Sequence, residues 1–259
     1  MEKNTNIRYY LLDNIRGINL INMIIYHGMW DLIYIYGKNI EWYKGITGHI
    51  WQQMICYVFI ILSGFCWSLG HNQIKRGIEV SIAGIIISAV TLIFMPQNRV
   101  VFGVLTLLGI CMLIMKPLHK ILDKVNVYFG IILSIMLFIG FYNINNGIFG
   151  FGTMYFVKLP EKLYANYFTT LLGFTHKGFF STDYFSIIPW MFLFILGYFL
   201  YRFVKGKSLF GYLKGKNIPI LSTVGKNTLL IYMLHQPVLY LIFELCTMIK
   251  YVLFAELLP

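Results

Sequence analysis

The sequence predicts an all-α integral membrane protein, a bundle of about seven transmembrane helices forming a single domain over residues 1–259. The chain is 58% hydrophobic and only 12% charged, and its mean hydropathy is +0.70. These values exclude an ordinary soluble domain. Its long apolar stretches approach the length of about 20 residues that crosses a bilayer. Charged residues, prolines and glycines separate each stretch from the next, which is typical of a polytopic membrane protein.

Hydropathy and these separators place seven spans along the chain. They are Ile15–Tyr36, Ile50–Leu69, Ile78–Met95, Val100–Met115, Val125–Ile144, Tyr184–Val204 and Ile220–Ile249. The segment 145–183 contains two apolar stretches, GIFGFGTMYFV and LYANYFTTLLGF, that are too short to span unless distorted. We expect re-entrant or interfacial helices there, covering the mouth of a cavity, although an interfacial loop rich in aromatic residues fits equally well.

Lysine and arginine predict the orientation. If the N-terminus is cytoplasmic, two thirds of the 21 Lys and Arg residues fall on the cytoplasmic side, as the positive-inside rule requires. We therefore predict a multi-pass protein of the cell (plasma) membrane with its N-terminus inside. The formal net charge of +11 is accounted for by this bias and by contact with the lipid bilayer. No nucleic-acid partner is expected, and the oligomeric state is left open.

The first span carries a stripe of polar residues. Arg16, Asn19, His27 and Asp31 fall on one third of the helix circumference. Ionisable groups in a span are costly and are expected to face a protein interior or a wet cavity. His27 and Asp31 are four residues apart, so the carboxylate is expected to orient the imidazole. Arg16 lies about 16 Å from His27 along the helix axis. The stripe predicts a site with a base above an anion binder.

Simpler explanations exist for single members of the stripe. Arg16 also suits an anchor whose side chain reaches the membrane surface, and Asn19 also suits a hydrogen bond between helices. His27 alone also suits a structural histidine. Its spacing to Asp31 within a membrane span favours a functional reading.

The last span adds a second group of candidates. His235 and Gln236 lie near its centre, and Pro237 removes a backbone hydrogen bond there. Polar residues near the middle of a membrane cost free energy, so a functional site is favoured over a merely kinked helix. Further candidates lie outside the spans or at their ends. His49 and Asp183 are candidates for binding substrate, and Lys75 and Arg76 are candidates for binding phosphates. At these positions, the residues are also explained by membrane topology, by solvation or by the helix dipole.

The histidines stand singly, and the four cysteines lie in apolar spans with no C-x-x-C pair. No metal site is therefore expected.

Several ordered motifs resemble a known family. They are Leu12-Asp13 with Arg16-Gly17 and His27, FIILSG at Phe59–Gly64, FGVLTLLG at Phe102–Gly109, DYFSIIPW at Asp183–Trp190 and IYMLHQP at Ile231–Pro237. Together they look like the heparan-α-glucosaminide N-acetyltransferase-like family of bacterial membrane proteins, which is related to acyltransferase family 3. The set covers almost the whole chain, and its order is more specific than any single motif.

The resemblance implies an integral membrane acyltransferase. It would move an acetyl or other acyl group from cytoplasmic acetyl-CoA or acyl-CoA to a hydroxyl or amine of an extracytoplasmic small-molecule or glycan acceptor. His27 matches the histidine to which acyltransferase family 3 assigns catalysis. The lysosomal enzyme places its catalytic histidine further along, where only His49 lies nearby, so the base is left open among His27, His49 and His235.

We expect His27, oriented by Asp31, to take the proton of the acceptor, with Arg16, Lys75 and Arg76 holding the phosphates of the donor. His235 or Gln236 would stabilise the oxyanion, while Asn19, His49 and Asp183 would contact substrate. Direct transfer and an acyl-histidine intermediate both fit. The alternative is a proton-coupled transporter or channel, which also uses buried His and Asp beside a broken helix. No internal inverted repeat supports it.

Overall fold

The computed structural model describes residues 8–255, and the side chains of 8–153 and 155–250. Within that range the chain forms eleven α-helices and one antiparallel pair of short strands. The helices are α1 Tyr10–Tyr34, α2 Glu41–Lys44, α3 Ile46–Trp67, α4 Gln73–Phe94, α5 Val104–Leu122, α6 Val127–Phe141, α7 Tyr167–Leu172, α8 Ile187–Gly206, α9 Phe210–Leu213, α10 Pro219–Lys226 and α11 Thr228–Ala255. The strands are β1 Ile148–Phe151 and β2 Met154–Lys158.

The prediction of an all-α polytopic membrane bundle is confirmed. Within residues 8–255, six helices are long and apolar enough to cross a membrane: α3, α4, α5, α6, α8 and α11. The remaining predicted span, Ile15–Tyr36, corresponds to α1, which has 25 residues and is therefore about 37 Å long. It is long enough to cross the hydrocarbon, but it is more polar than the other six because it carries the predicted stripe.

Two predicted details were wrong. The last predicted span, Ile220–Ile249, is two helices, because α10 ends at Lys226 and α11 begins at Thr228. The stretch GIFGFGTMYFV is not a helix but a hairpin of β1 and β2, in which Phe151 pairs with Met154. Gly152 begins its two-residue turn at φ +56°, a conformation that glycine adopts without steric cost. The second stretch does contain a short helix, α7.

The chain divides into two compact units, one of residues 8–58 with 212–255 and the other of residues 59–211. We call them the terminal unit and the central unit. The division falls within α3. The prediction of a single domain over residues 1–259 stays a prediction.

In the terminal unit, α1 and α10 cross at very short range. A Cβ at Gly17 would collide with the carbonyl of Leu221, and a Cβ at Gly225 would collide with the carbonyl of Asp13. Glycine at each position therefore lets the two backbones touch. The N-terminal part of α3 is tied to α1 by Asn19, whose amide donates to the Ile55 carbonyl at 3.0 Å.

In the central unit, α4 packs on α5 and α6 packs on α8. The C-terminal part of α3 crosses α8 through a reciprocal glycine pair. A Cβ at Gly64 would collide with the Phe194 carbonyl, and one at Gly197 would collide with the Ile61 carbonyl. Gly64 therefore lets another helix of the bundle approach closely.

Candidate functional site

The polar stripe of α1 meets α11 within the terminal unit. The ring centroids of His27 and His235 are 4.8 Å apart, in an edge-to-face arrangement. One turn further along, the Gln236 amide nitrogen donates to Asp31 Oδ1 at 2.6 Å. Packing between the two helices therefore unites two pairs of residues, and the members of each pair lie more than 200 positions apart in the sequence. We call these four residues the histidine cluster.

Hydrogen bonds within each helix set the tautomer of the two imidazoles. His27 Nδ1 lies 2.9 Å from the Met23 carbonyl oxygen, and His235 Nδ1 faces the Tyr232 carbonyl oxygen. A carbonyl oxygen only accepts hydrogen bonds, so each Nδ1 carries a hydrogen. In the neutral ring, Nε2 then bears the lone pair. Both histidines are thus arranged as proton acceptors through Nε2.

Asp31 is held differently from the expectation. The sequence spacing predicted a hydrogen bond with His27, but the carboxylate accepts its hydrogen bond from Gln236 on the other helix. The side chain of His27 instead turns Nδ1 back to the Met23 carbonyl, because a helical histidine reaches the carbonyl four residues earlier without distortion. Asp31 is 1% exposed. Through Gln236 it connects α1 to α11, and its expected role in orienting His27 stays a prediction.

Three buried atoms of the cluster have no hydrogen-bond partner among the described residues: Asp31 Oδ2, His235 Nε2 and Gln236 Oε1. In the hydrogen-bonding state above all three are acceptors. A buried polar atom without a partner is costly, and such groups in folded proteins often mark functional positions. The cluster therefore matches a ligand that brings several hydrogen-bond donors, such as hydroxyl or amine groups.

The wall beside His27 is aromatic, and the sequence reasoning did not identify it. Tyr26 packs edge-on against His27 and is itself covered by Tyr43 of α2 and Trp51 of α3. The Tyr43 hydroxyl donates to the Tyr26 carbonyl at 2.9 Å. Burial raises the pKa of Tyr43, so the phenol stays protonated and keeps donating. The one available signal was the aromatic pair in EWYK, within a short interhelical segment.

Arg16 lies at the other end of the stripe in a small charge network. It pairs with Asp13 at 3.6 Å, and Arg8 donates to the same carboxylate at 2.8 Å. The Arg16 side chain is 30% exposed. Two guanidinium groups share one carboxylate, which leaves positive charge at the start of α1. The expected binding of phosphates at Arg16 stays a prediction.

The remaining predicted residues lie elsewhere. The Asn19 amide donates a hydrogen bond to the α3 backbone, so this residue fits the alternative of a hydrogen bond between helices. His49 is exposed on the first turn of α3. Asp183 accepts from the Val104 backbone N–H at 3.3 Å and so caps the start of α5, a helix other than its own.

Lys75 and Arg76 lie at the start of α4 in the central unit and are exposed, and Lys75 pairs with Glu79 at 3.9 Å. Neither residue belongs to the histidine cluster. Among the described residues, no group of three His, Cys, Asp or Glu side chains is arranged to hold a metal ion.

The bridge between Asp31 and Gln236 predicts a measurable coupling. Gln236→Leu is expected to destabilise the protein by about 1–3 kcal/mol, because it leaves a buried carboxylate without its donor. Asp31→Leu/Gln236→Leu is expected to be more stable than Gln236→Leu, since no charged group is then left unsatisfied. Thermal unfolding in detergent of the wild type, both single variants and the double variant measures this. Strictly additive losses would show that the two side chains do not interact.

No curated protein and no solved structure matches the chain. A family model does match, over residues 8–237, and it describes the catalytic domain of heparan-alpha-glucosaminide N-acetyltransferase. The match contains both helices of the histidine cluster up to Pro237. The chain therefore belongs to the heparan-alpha-glucosaminide N-acetyltransferase catalytic family, a family of membrane acetyltransferases.

Proposed function

We propose that the protein transfers an acetyl or other acyl group from acyl-CoA to a hydroxyl or amine of an extracytoplasmic acceptor, a small molecule or a glycan of the cell envelope. The observation that carries this proposal is the histidine cluster: two adjacent imidazoles, each with Nε2 as the lone-pair nitrogen, beside the carboxylate oxygen of Asp31 and the amide oxygen of Gln236, which are buried and have no hydrogen-bond partner within the described part of the chain. An acyl-accepting substrate with several O–H or N–H groups can donate hydrogen bonds to these buried atoms. It also presents the proton that a base must remove.

In the proposed transfer, one bond to the acyl carbon forms as another breaks, and side chains of this protein move the proton. His27 Nε2 takes the proton of the acceptor as its oxygen or nitrogen forms a bond to the acyl carbon. The carbon–sulfur bond of the thioester breaks, and the leaving thiolate takes up a proton. His235 Nε2 and Gln236 Oε1 orient the other donor groups of the acceptor. The oxyanion role expected of His235 requires a protonated ring, because the single hydrogen of the neutral ring is held by the Tyr232 carbonyl.

The donor is proposed to approach from the N-terminal end of α1. Its phosphates would contact Arg16, which belongs to a network of two arginines and one carboxylate with a net positive charge. Arg16 lies eleven residues before His27, about 16 Å along a helix, and a pantetheine arm spans a comparable length. With the predicted cytoplasmic N-terminus, the nucleotide end of acyl-CoA would enter from the cytoplasm.

Binding of acetyl-CoA and CoA to the purified full-length protein tests this division of roles. Arg16→Ala is expected to weaken CoA binding roughly tenfold, as the loss of one or two charged hydrogen bonds predicts. His27→Ala is expected to leave CoA binding in place and to remove transfer. Lys38→Ala removes an exposed side chain of the same charge, four residues beyond the C-terminal end of α1, and it is the matched control. Absence of CoA binding at millimolar concentration would favour the transporter alternative.

A further inference from the structure

The central unit contains a basic cleft that the proposed chemistry does not use. It has a volume of about 620 Å³, within the size range of small-ligand sites. It is formed where α3, α5 and α8 end and where α4 and α6 begin. All five of these helices are long and apolar enough to span a membrane. The ends of such helices lie at the boundary between hydrocarbon and headgroups, so we expect this cleft at the membrane surface.

The charged and titratable side chains that face the cleft are Lys116, His119, Asp123, Arg202 and Lys205. Two of them are engaged within the fold. The Arg202 guanidinium donates to the backbone carbonyls of residues 122, 123 and 125, at the end of α5. Asp123 accepts from the Tyr198 hydroxyl and lies 4.0 Å from Arg202. The negative group of the cleft is therefore already partnered, and Arg202 neutralises the carbonyl end of α5.

Lys116 and Lys205 remain as the exposed positive charges of the cleft. They lie on α5 and α8. Near them, the Ser68 hydroxyl is a buried atom with no hydrogen-bond partner among the described residues, and Ser68 lines the same cleft. The His119 ring holds its Nδ1 against the Met115 carbonyl, so its Nε2 is the nitrogen left for a ligand. Two ammonium groups and a hydroxyl are a donor set for phosphate oxygens.

Aromatic side chains complete the wall. Trp67 packs against His119 and Tyr198, and its indole N–H is held by the Met112 carbonyl. Tyr201 lines the same wall and packs on Phe65. Aromatic and basic residues together at a membrane boundary are the composition that accommodates phosphate-bearing amphiphiles.

We propose that this cleft binds a phosphate ester at the membrane surface, with Lys116, Lys205 and the Ser68 hydroxyl as its donors. Two sources supply this chemistry: the headgroup of an anionic lipid and the nucleotide end of CoA. The site is distinct from the proposed role of Arg16, which belongs to the terminal unit. It also holds whether or not the protein transfers acetyl groups, because it rests on a different set of residues.

The test compares two probes on the full-length protein in detergent: a short-chain phosphatidylglycerol below its micellar concentration, and CoA. Lys116→Gln/Lys205→Gln removes the two proposed donors. Lys120→Gln/Lys207→Gln removes the same charge from the same part of the chain, at exposed positions that do not line the cleft, and is the matched control. Binding is measured by titration, without acceptor, and thermal unfolding checks that each variant is folded.

The cleft variant is expected to lose roughly tenfold or more in affinity for one probe, with little change in the control. Loss for phosphatidylglycerol identifies a lipid phosphate as the ligand, and loss for CoA identifies a nucleotide phosphate. Ser68→Ala, which keeps both charges, is expected to weaken the same probe. Equal losses in the cleft and control variants, or no binding of either probe to the wild type, would overturn the proposal. A failure of acetyl transfer in His27 variants leaves this result unaffected.

Discussion

Replacement of His27 by glutamine is expected to slow acetyl transfer by about 10²–10⁴-fold, the contribution typical of a general base. Glutamine keeps much of the volume and a polar end, so the packing against His235 and Tyr26 is largely preserved. It has no nitrogen lone pair that accepts a proton at neutral pH. The loss is therefore expected in the turnover number, while the affinity for CoA stays close to that of the wild type.

The measurement is transfer of a labelled acetyl group from acetyl-CoA to a panel of hydroxyl and amine acceptors in proteoliposomes. His71→Gln, at an exposed position between α3 and α4, is the control for the loss of an imidazole. His235→Gln belongs in the same series. If His235→Gln abolishes transfer and His27→Gln does not, the base is His235, and the two histidines exchange the roles proposed above. Full activity in both variants would remove the histidine cluster from the mechanism.

Alanine at Gly17 or Gly225 is expected to cause the largest loss of stability. The added Cβ would collide with a backbone carbonyl of the facing helix, Leu221 or Asp13, and a backbone cannot turn aside as a side chain does. We expect a loss at or above the upper end of the roughly 1–3 kcal/mol that overpacked cores show. Alanine favours a helix over glycine by about 1 kcal/mol, so local propensity acts in the opposite direction.

Gly211→Ala provides the control, because a Cβ at that helical position meets open space. Thermal unfolding of the three variants, together with the yield of folded protein, measures the effect. Gly211→Ala is expected to match the wild type or slightly exceed it. If Gly17→Ala and Gly225→Ala unfold at the wild-type temperature, α1 and α10 do not cross at the short distance described.

Much of the fold could be predicted from the composition and from the charged residues, prolines and glycines that separate the apolar stretches. Six predicted spans correspond to α3, α4, α5, α6, α8 and α11, since an apolar stretch of about 20 residues has few alternatives to a helix in a membrane. The hairpin β1–β2 was missed because a short apolar run has no period that distinguishes strand from helix. The break at Asn227 was missed because an isolated glycine, Gly225, and the polar residues around it do not by themselves end a helix.

The candidate site shows the same division. Helical spacing predicted that His27 and Asp31 lie on one face, and the cost of polar groups in a span singled out His235 and Gln236. Spacing along one helix suggested Asp31 as the partner of His27, because such reasoning sees only neighbours three or four residues away. The actual partner of Asp31, Gln236, lies 205 residues later.

The sequence alone therefore determined the class of protein, the family and the identity of the costly residues. Each of these follows from properties read along the chain: hydropathy, charge placement and ordered motifs. Only the tertiary structure decided that His27 and His235 meet, that Gln236 holds Asp31, and that Lys116 and Lys205 share a cleft. These pairings depend on which helix faces which, and that is set by the close crossings of backbone at glycines and the packing of side chains across helices, neither of which has a period in the sequence.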